Sequence, residues 1–140
     1  MTELHPQLKQ DSLILGRFPL SILLLIKDAN YPWFVLVPDR ADITEIYQLS
    51  TEDQVQFMFE SSCLAEALAN GFDADKMNIA AIGNIVPQLH IHHIVRYKND
   101  PCWPAPVWGK MPAIKYNDDA LKSILAKIKT LTLSDFEFLI

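Results

Sequence analysis

Cysteine is scarce in this chain: Cys63 and Cys102 are the only two, and 39 positions separate them. There is therefore no CxxC pair, no zinc framework and no disulfide lattice, and two isolated thiols point to a reducing cytoplasm. Long apolar runs are missing as well. The most apolar stretch, Leu20 to Ile26, has seven residues and follows Arg17 and Pro19. That is too short for a membrane span and badly placed for a signal sequence, so the chain is expected to begin where its fold begins. No run of Lys and Arg occurs, and 12 basic side chains against 17 acidic ones leave a formal charge of −5. This balance argues against non-specific binding to nucleic acid or an anionic membrane. Gly/Ser linkers, low-complexity tracts and internal repeats are also absent, so residues 1–140 read as one domain.

What remains is 140 residues, half of them hydrophobic. A chain of this length buries enough surface to hold a core without disulfides or a structural metal. Ser12 to Gly16 and Leu20 to Lys27 read as strands separated by Arg17-Phe18-Pro19, because proline donates no ladder bond. Turn residues at Asp28 to Pro32 then lead into Trp33 to Val37, which has strand composition. Ile43, Ile46 and Leu49 recur at the spacing of a short helix. Ser50 and Thr51 are candidate caps of a long helix, with Thr51-x-x-Gln54 as a capping box. Its inward stripe reads as Val55, Met58, Phe59, Ser62 and Ala65, Phe57 lies off that stripe, and Asn70-Gly71 supplies a left-handed stop. Met77 to Ile82 and Leu89 to Arg96 form a second strand pair. Asn117 can cap a last helix carrying Leu121, Ile124, Leu125 and Ile128, and the apolar tail that completes 117–140 is expected to dock onto the body or a partner. The order β-β-β-α-α-β-β-α with short strand connections predicts an α+β fold, an antiparallel sheet with helices packed mainly on one face.

Three of the four histidines fall in Gly83-Asn84-Ile85-Val86-Pro87-Gln88-Leu89-His90-Ile91-His92-His93. On a strand, Gln88, His90 and His92 share one face and His93 takes the other. Three uses of this polar row are open. It can be an exposed or hydrogen-bonded strand without chemistry. It can be a His-x-His metal site, which lacks a convincing third ligand, since Gln88 is a weak one and no carboxylate stands at a suitable spacing. Or it can be a nucleophile site: an imidazole whose other nitrogen is held by a partner can attack phosphorus if nearby donors offset the phosphate charge.

The segment resembles the histidine triad (HIT) motif, His-φ-His-φ-His-φ-φ. Its lead-in Gly83-Asn84-x-Val86 is similar to the Gly-Gln-Ser-Val stretch that precedes the motif, and Asp28 with Pro32-Trp33-Phe34-Val35-Leu36-Val37-Pro38 resembles the family's hairpin. Within the family the chain looks like a bacterial, diadenosine tetraphosphate hydrolase-like subgroup, sharing Pro-Gln-Leu-His-x-His-His and a Trp-Pro-x-Pro-Val-Trp-Gly tail at Trp103 to Gly109. The resemblance implies a HIT-like fold, frequently a homodimer. It also implies a nucleotide hydrolase or transferase acting on dinucleoside polyphosphates or nucleoside phosphoramidates. His90 becomes the nucleophile, His92 a donor to the α-phosphate, Asn78 and Asn84 phosphate-side residues and Asp28 a ribose ligand, with an Asx turn as the competing role of Asp28. Gln88 stands where the first histidine should be and cannot change charge near neutral pH, while Ile85 replaces a serine near the leaving group. No protein-bound metal is implied, although magnesium can arrive with a polyphosphate. Gln88 and Ile85 also keep open a nucleotide-binding module with little catalysis.

Residues 76–110 carry a net +3 and the remainder −8, a distribution that suits a polyphosphate near the histidines. The Pro/Trp-rich segment 101–112 reads first as an arm packed on the sheet and second as a cover for a base or a partner. Cys102 has no base nearby in sequence and reads as inert.

Overall fold

Pro19 breaks the first hairpin as its chemistry requires. In the computed structural model, which describes residues 1–140, strand β1 (Ser12–Arg17) ends before it and β2 (Ser21–Ile26) begins after it. The two pair antiparallel, with a bulge at Leu15 between Ile14 and Gly16. Strand β3 (Trp33–Pro38) continues the meander against β2. Strands β4 (Lys76–Ala81) and β5 (Ile91–Arg96) then pair with each other, and β5 docks on β3. The C-terminal residues add β6 (Glu137–Phe138) beside β1, giving one antiparallel sheet in the order β4-β5-β3-β2-β1-β6. The apolar tail thus docks onto its own body, where Phe136 packs on Phe18 with ring centroids 4.8 Å apart.

One face of the sheet is covered by α2 (Thr51–Gly71) and α3 (Asp118–Lys129). Leu23, Leu25, Phe34, Leu36 and Val95 meet Phe57, Leu64, Leu68, Ile124 and Ile128 there. The fold is α+β and antiparallel, as the sequence predicts. A short helix, α1 (Pro6–Asp11), lies with the opposite face, where Leu4 and Leu8 pack on Ile22, Leu24, Val35 and Val37.

Several local expectations are corrected. The buried stripe of α2 is Phe57, Glu60, Ser61, Leu64 and Leu68, whereas Val55, Met58 and Phe59 are 68%, 66% and 55% exposed. Hydrophobicity picks the wrong stripe because the buried one holds two polar residues that find partners. Glu60 Oε2 accepts from the Leu20 backbone N–H (2.8 Å), and Ser61 Oγ bonds His93 Nε2 (2.7 Å). Bonded in this way, Ser61 and one oxygen of Glu60 lose most of the penalty of burial, while Glu60 Oε1 keeps no partner. Ser50 alone caps α2, accepting from Asp53 N–H at 3.1 Å, while Gln54 turns back to the Leu49 carbonyl instead of completing a box with Thr51. The left-handed residue after the helix is Asp73 (φ 51°). Gly71 serves close approach instead, since a Cβ there would collide with Leu131. The segment around Ile43 to Leu49 forms only a 3-10 turn, Ile46–Gln48. Finally β5 begins at Ile91 and not at Leu89: Pro87 has no N–H to give, and the Leu89 N–H bonds the Ile43 carbonyl (2.9 Å) instead of a neighbouring strand.

Candidate functional site

The face opposite α2 carries a cavity of about 1270 Å³. Strand alternation puts His92 on this face, paired across to Val35 and Ala80, and sends His93 to the helix side. His90 precedes the strand yet keeps the same direction, so the two imidazoles line the cavity together, ring centroids 5.0 Å apart. Gly83, at φ 74°, turns the chain between β4 and the histidines, a conformation suited to glycine. That turn brings Asn84 and Ile85 to the cavity.

Each histidine is held at one ring nitrogen. His90 Nδ1 lies 2.6 Å from the main-chain oxygen of Gln88. A carbonyl only accepts, so Nδ1 carries the proton and Nε2 keeps its lone pair. His92 Nδ1 lies 2.9 Å from the Trp33 indole N–H, which only donates. Burial, helped by the neighbouring His90 and His93, pushes His92 down to about 3, so its ring is neutral near pH 7. Trp108 closes edge-on over His92 at 5.0 Å between centroids and meets Trp33 at 5.8 Å.

Asp28 stands at the cavity wall and is bonded by its own loop. Its Oδ1 accepts from the Asn30 backbone (3.0 Å), the Asn30 side chain (2.8 Å) and the Ile114 backbone (3.3 Å). That is an Asx turn which also pins the C-terminal segment. Oδ2 makes no bond within the protein, and the residue lines the cavity. Tyr116 lines the same wall and is raised to about 12 by burial and by the charge of Asp28.

Two expected site residues stand elsewhere. Gln88 is not part of the cavity lining. Its Oε1 accepts from the His5 backbone N–H (2.8 Å) and its Nε2 donates to the Glu3 carbonyl (3.2 Å). The three-residue row therefore shortens to His90 and His92, because the N-terminal segment lies over Gln88. Asn78, opposite Ile94 on β4, also lies outside the lining, and its Oδ1 accepts from Arg96 at 2.8 Å. The +3 segment supplies no cation to the cavity lining either. Arg96 is buried against Asp100 (2.7 Å), and the cations that line the cavity are Lys27 and Lys115.

Trp33 is the side chain that the sequence gives no means of assigning to the site, and Trp108 is reached there only through the second reading of its arm, as a cover for a base. Trp33 reads as ordinary strand composition and Trp108 first as packing of an arm. Only the fold brings both against His92. The arm 101–112 is indeed packed on the sheet: Val107 is buried with Tyr31 and Ile94, and Arg96 holds the Ala105 carbonyl at 2.8 Å. Cys102 sits in that packing, its Sγ 3.1 Å from the Tyr31 hydroxyl. No group of three or more His, Cys, Asp or Glu side chains is arranged to hold a metal ion.

The HIT domain profile matches residues 7–99. The chain belongs to the histidine triad family. A histidine triad protein from Marinobacter aquaeolei VT8 is 49% identical to it, with a TM-score of 0.89 over 92% of this chain and 94% of that one. One from Bradyrhizobium japonicum is 45% identical, with a TM-score of 0.88 over 91% and 95%. A third, from Sinorhizobium meliloti 1021, is 39% identical, with a TM-score of 0.87 over 91% and 94%. No curated protein is matched. Histidine triad proteins are nucleotide-binding hydrolases and transferases, and no helix of this one is long and apolar enough to cross a membrane.

Proposed function

We propose that this histidine triad protein is a nucleotide hydrolase that works through a nucleotidyl-histidine intermediate. The observation that carries the reading is the 2.6 Å contact of His90 Nδ1 with the Gln88 carbonyl, which leaves the Nε2 lone pair for the cavity. In the first step that pair forms a bond to the α-phosphorus, and the bond from phosphorus to the leaving group breaks with its electrons. Water then attacks phosphorus, the N–P bond breaks, a nucleoside monophosphate departs with the proton balance met by solvent, and neutral His90 returns. His92 Nε2–H and the Asn84 carboxamide donate to the phosphoryl oxygens as charge builds. Asp28 Oδ2 is free to accept from ribose hydroxyls. Asn78, tied to Arg96, drops out of the phosphate-binding set.

The leaving-group side favours a dinucleoside polyphosphate over a phosphoramidate, as in the diadenosine tetraphosphate hydrolase-like subgroup. A departing phosphate chain is already a stable anion, whereas a departing amine must be protonated. Here Gln88 is turned away and Ile85, 87% exposed, has no proton to give. The volume of about 1270 Å³ exceeds the roughly 300–1,000 Å³ of most small-molecule sites, room for a nucleotide with its leaving group. Magnesium enters on the polyphosphate and not on a protein ligand set. The free thiols Cys63 and Cys102 suit a reducing cytoplasm. The exposed stripe Val55, Met58 and Phe59 supports a homodimer.

Mass spectrometry of protein quenched after incubation with a nucleotide panel tests the reading. A nucleotidyl adduct on His90 is expected, with diadenosine tetraphosphate turned over faster than adenosine phosphoramidate. His90→Ala should cost at least about three orders of magnitude in turnover, and near-normal hydrolysis by that variant overturns the assignment. The placement of Gln88 and Ile85 favours one rival, a module that binds nucleotide without efficient chemistry. Binding of adenosine monophosphate with no turnover of any substrate identifies it.

A further inference from the structure

The two cavity histidines need opposite tautomers. A nucleophile must present a bare Nε2, and a phosphate donor must present Nε2–H. Nothing intrinsic to imidazole separates them, because both tautomers of a neutral ring lie close in energy and the partner of the other nitrogen decides. For His90 the partner is a carbonyl. For His92 it is the indole of Trp33, whose N–H stands 2.9 Å from Nδ1. Indole offers a hydrogen and no lone pair. A protonated Nδ1 would set two hydrogens against each other, so the contact admits only a bare Nδ1 and places the proton on Nε2. No protein group bonds His92 Nε2, and it is not sealed from the cavity, since the buried unpartnered side-chain atoms are Ser21 Oγ and Glu60 Oε1.

We propose that Trp33 is a positioning residue that commits His92 to its Nε2–H tautomer and thereby makes it a phosphate donor beside the His90 nucleophile. Packing holds the arrangement. Trp33 meets Tyr31 edge-on at 6.3 Å between centroids and Trp108 at 5.8 Å, and its ring is 5.7 Å from that of His92. Indole rotation away from Nδ1 is therefore opposed on two sides. With the N–H gone, His92 could move its proton to Nδ1 and turn a lone pair toward the phosphate oxygens, converting attraction into repulsion at the transition state.

The kinetic consequence rests on the function proposed above, whereas the tautomer does not, so the test has two arms. Two-bond ¹H–¹⁵N spectra of histidine-labelled protein read the tautomer of His92 directly. The Nε2–H pattern is expected in the parent protein, and Nδ1–H should gain population in Trp33→Phe. Replacing Trp33 with β-(3-benzothienyl)alanine keeps the bicyclic shape and substitutes sulfur for N–H, so it should shift the tautomer without loosening the packing. In single-turnover and steady-state assays the sulfur analogue should lower kcat about 10- to 100-fold with KM within about threefold. An Nδ1–H pattern in the parent, or an unchanged His92 spectrum in both variants, overturns the inference. So does an unchanged kcat in the sulfur analogue of a protein that turns nucleotide over. If the parent turns over no nucleotide, the spectra still decide the tautomer, and the two failures remain distinct.

Discussion

His90 Nδ1 bonds the main-chain oxygen of Gln88, at 2.6 Å, and not its side chain. What the first triad position gives the nucleophile is thus a carbonyl that every residue possesses, which explains how glutamine can stand there. The Gln88 carboxamide is left to clamp Glu3 and His5, and the N-terminal segment leads directly into α1, whose Gln7 and Leu8 line the cavity. Gln88→Ala should therefore leave kcat within a few-fold and raise KM as the α1 wall loosens. Loss of two partly exposed hydrogen bonds corresponds to about 1–2 kcal/mol of stability. Steady-state kinetics and urea titration of the variant check both, and a collapse of kcat with KM unchanged would return the side chain to the chemistry.

Arg96 and Asp100 form the anchor of the aromatic arm. Both are almost wholly buried and their contact is 2.7 Å. Burial alone would raise Asp100, but hydrogen bonds from Arg96 and from the Tyr97 and Cys102 backbone bring it below the usual carboxylate range. Arg96 also stacks near Tyr31 and Trp103, 5.7 and 5.5 Å from their centroids. Removing one partner leaves the other charge buried and alone, a change that costs about 3–5 kcal/mol. Asp100→Ala should lower the unfolding free energy from urea titration by that amount and free Trp108 from the cavity, seen as a red shift and greater quenching of tryptophan emission.

The legible parts of this chain were those written in local chemistry. Pro19 and the turn at Asp28 to Pro32 marked strand ends, and Asn117 does cap α3, accepting from Ala120 N–H at 2.8 Å. Alternation correctly separated His90 and His92 from His93. What escaped depended on partners distant in sequence. Glu60 and Ser61 look like surface residues until Leu20 and His93 arrive to bond them. Gln88 looks like a site residue until the N-terminal segment covers it. Asn78 was assigned through the family resemblance, yet the ladder opposite Ile94 directs it to Arg96. Trp33 could not be assigned because its role exists only through His92, 59 positions away.

The outer stripe of α2 gives the proposed homodimer a specific test. Val55, Met58 and Phe59 lie on the side of the helix turned from the sheet, so a charge there should not disturb the core. Phe59→Glu is expected to halve the mass measured by sedimentation equilibrium at micromolar concentration while the circular dichroism stays unchanged. A monomeric parent protein, or a dimer indifferent to Phe59→Glu, would remove this stripe as the interface.

Stability should depend on pH through His92 and His93. Burial lowers His92 to about 3 and His93 to about 4, against about 6.5 in an unfolded chain. Between those limits the unfolded state holds more protons, so stability rises with pH across the window and is lost as pH falls below about 6.5. The slope is about 1.4 kcal/mol per pH unit for each histidine once the unfolded imidazoles are charged. Together they would remove roughly 4–5 kcal/mol between pH 7 and 4.5. For His93 the cause is desolvation: the ring is fully buried, and the Nδ1–H bond to the Ile91 carbonyl (3.1 Å) offsets only part of that penalty. Urea titrations at intervals from pH 7.5 to 4.5 measure the slope, and His93→Gln should reduce it by about one proton whatever its effect on stability at pH 7. An unaltered slope in that variant would mean that His93 takes up its proton in the folded protein as readily as in the unfolded chain.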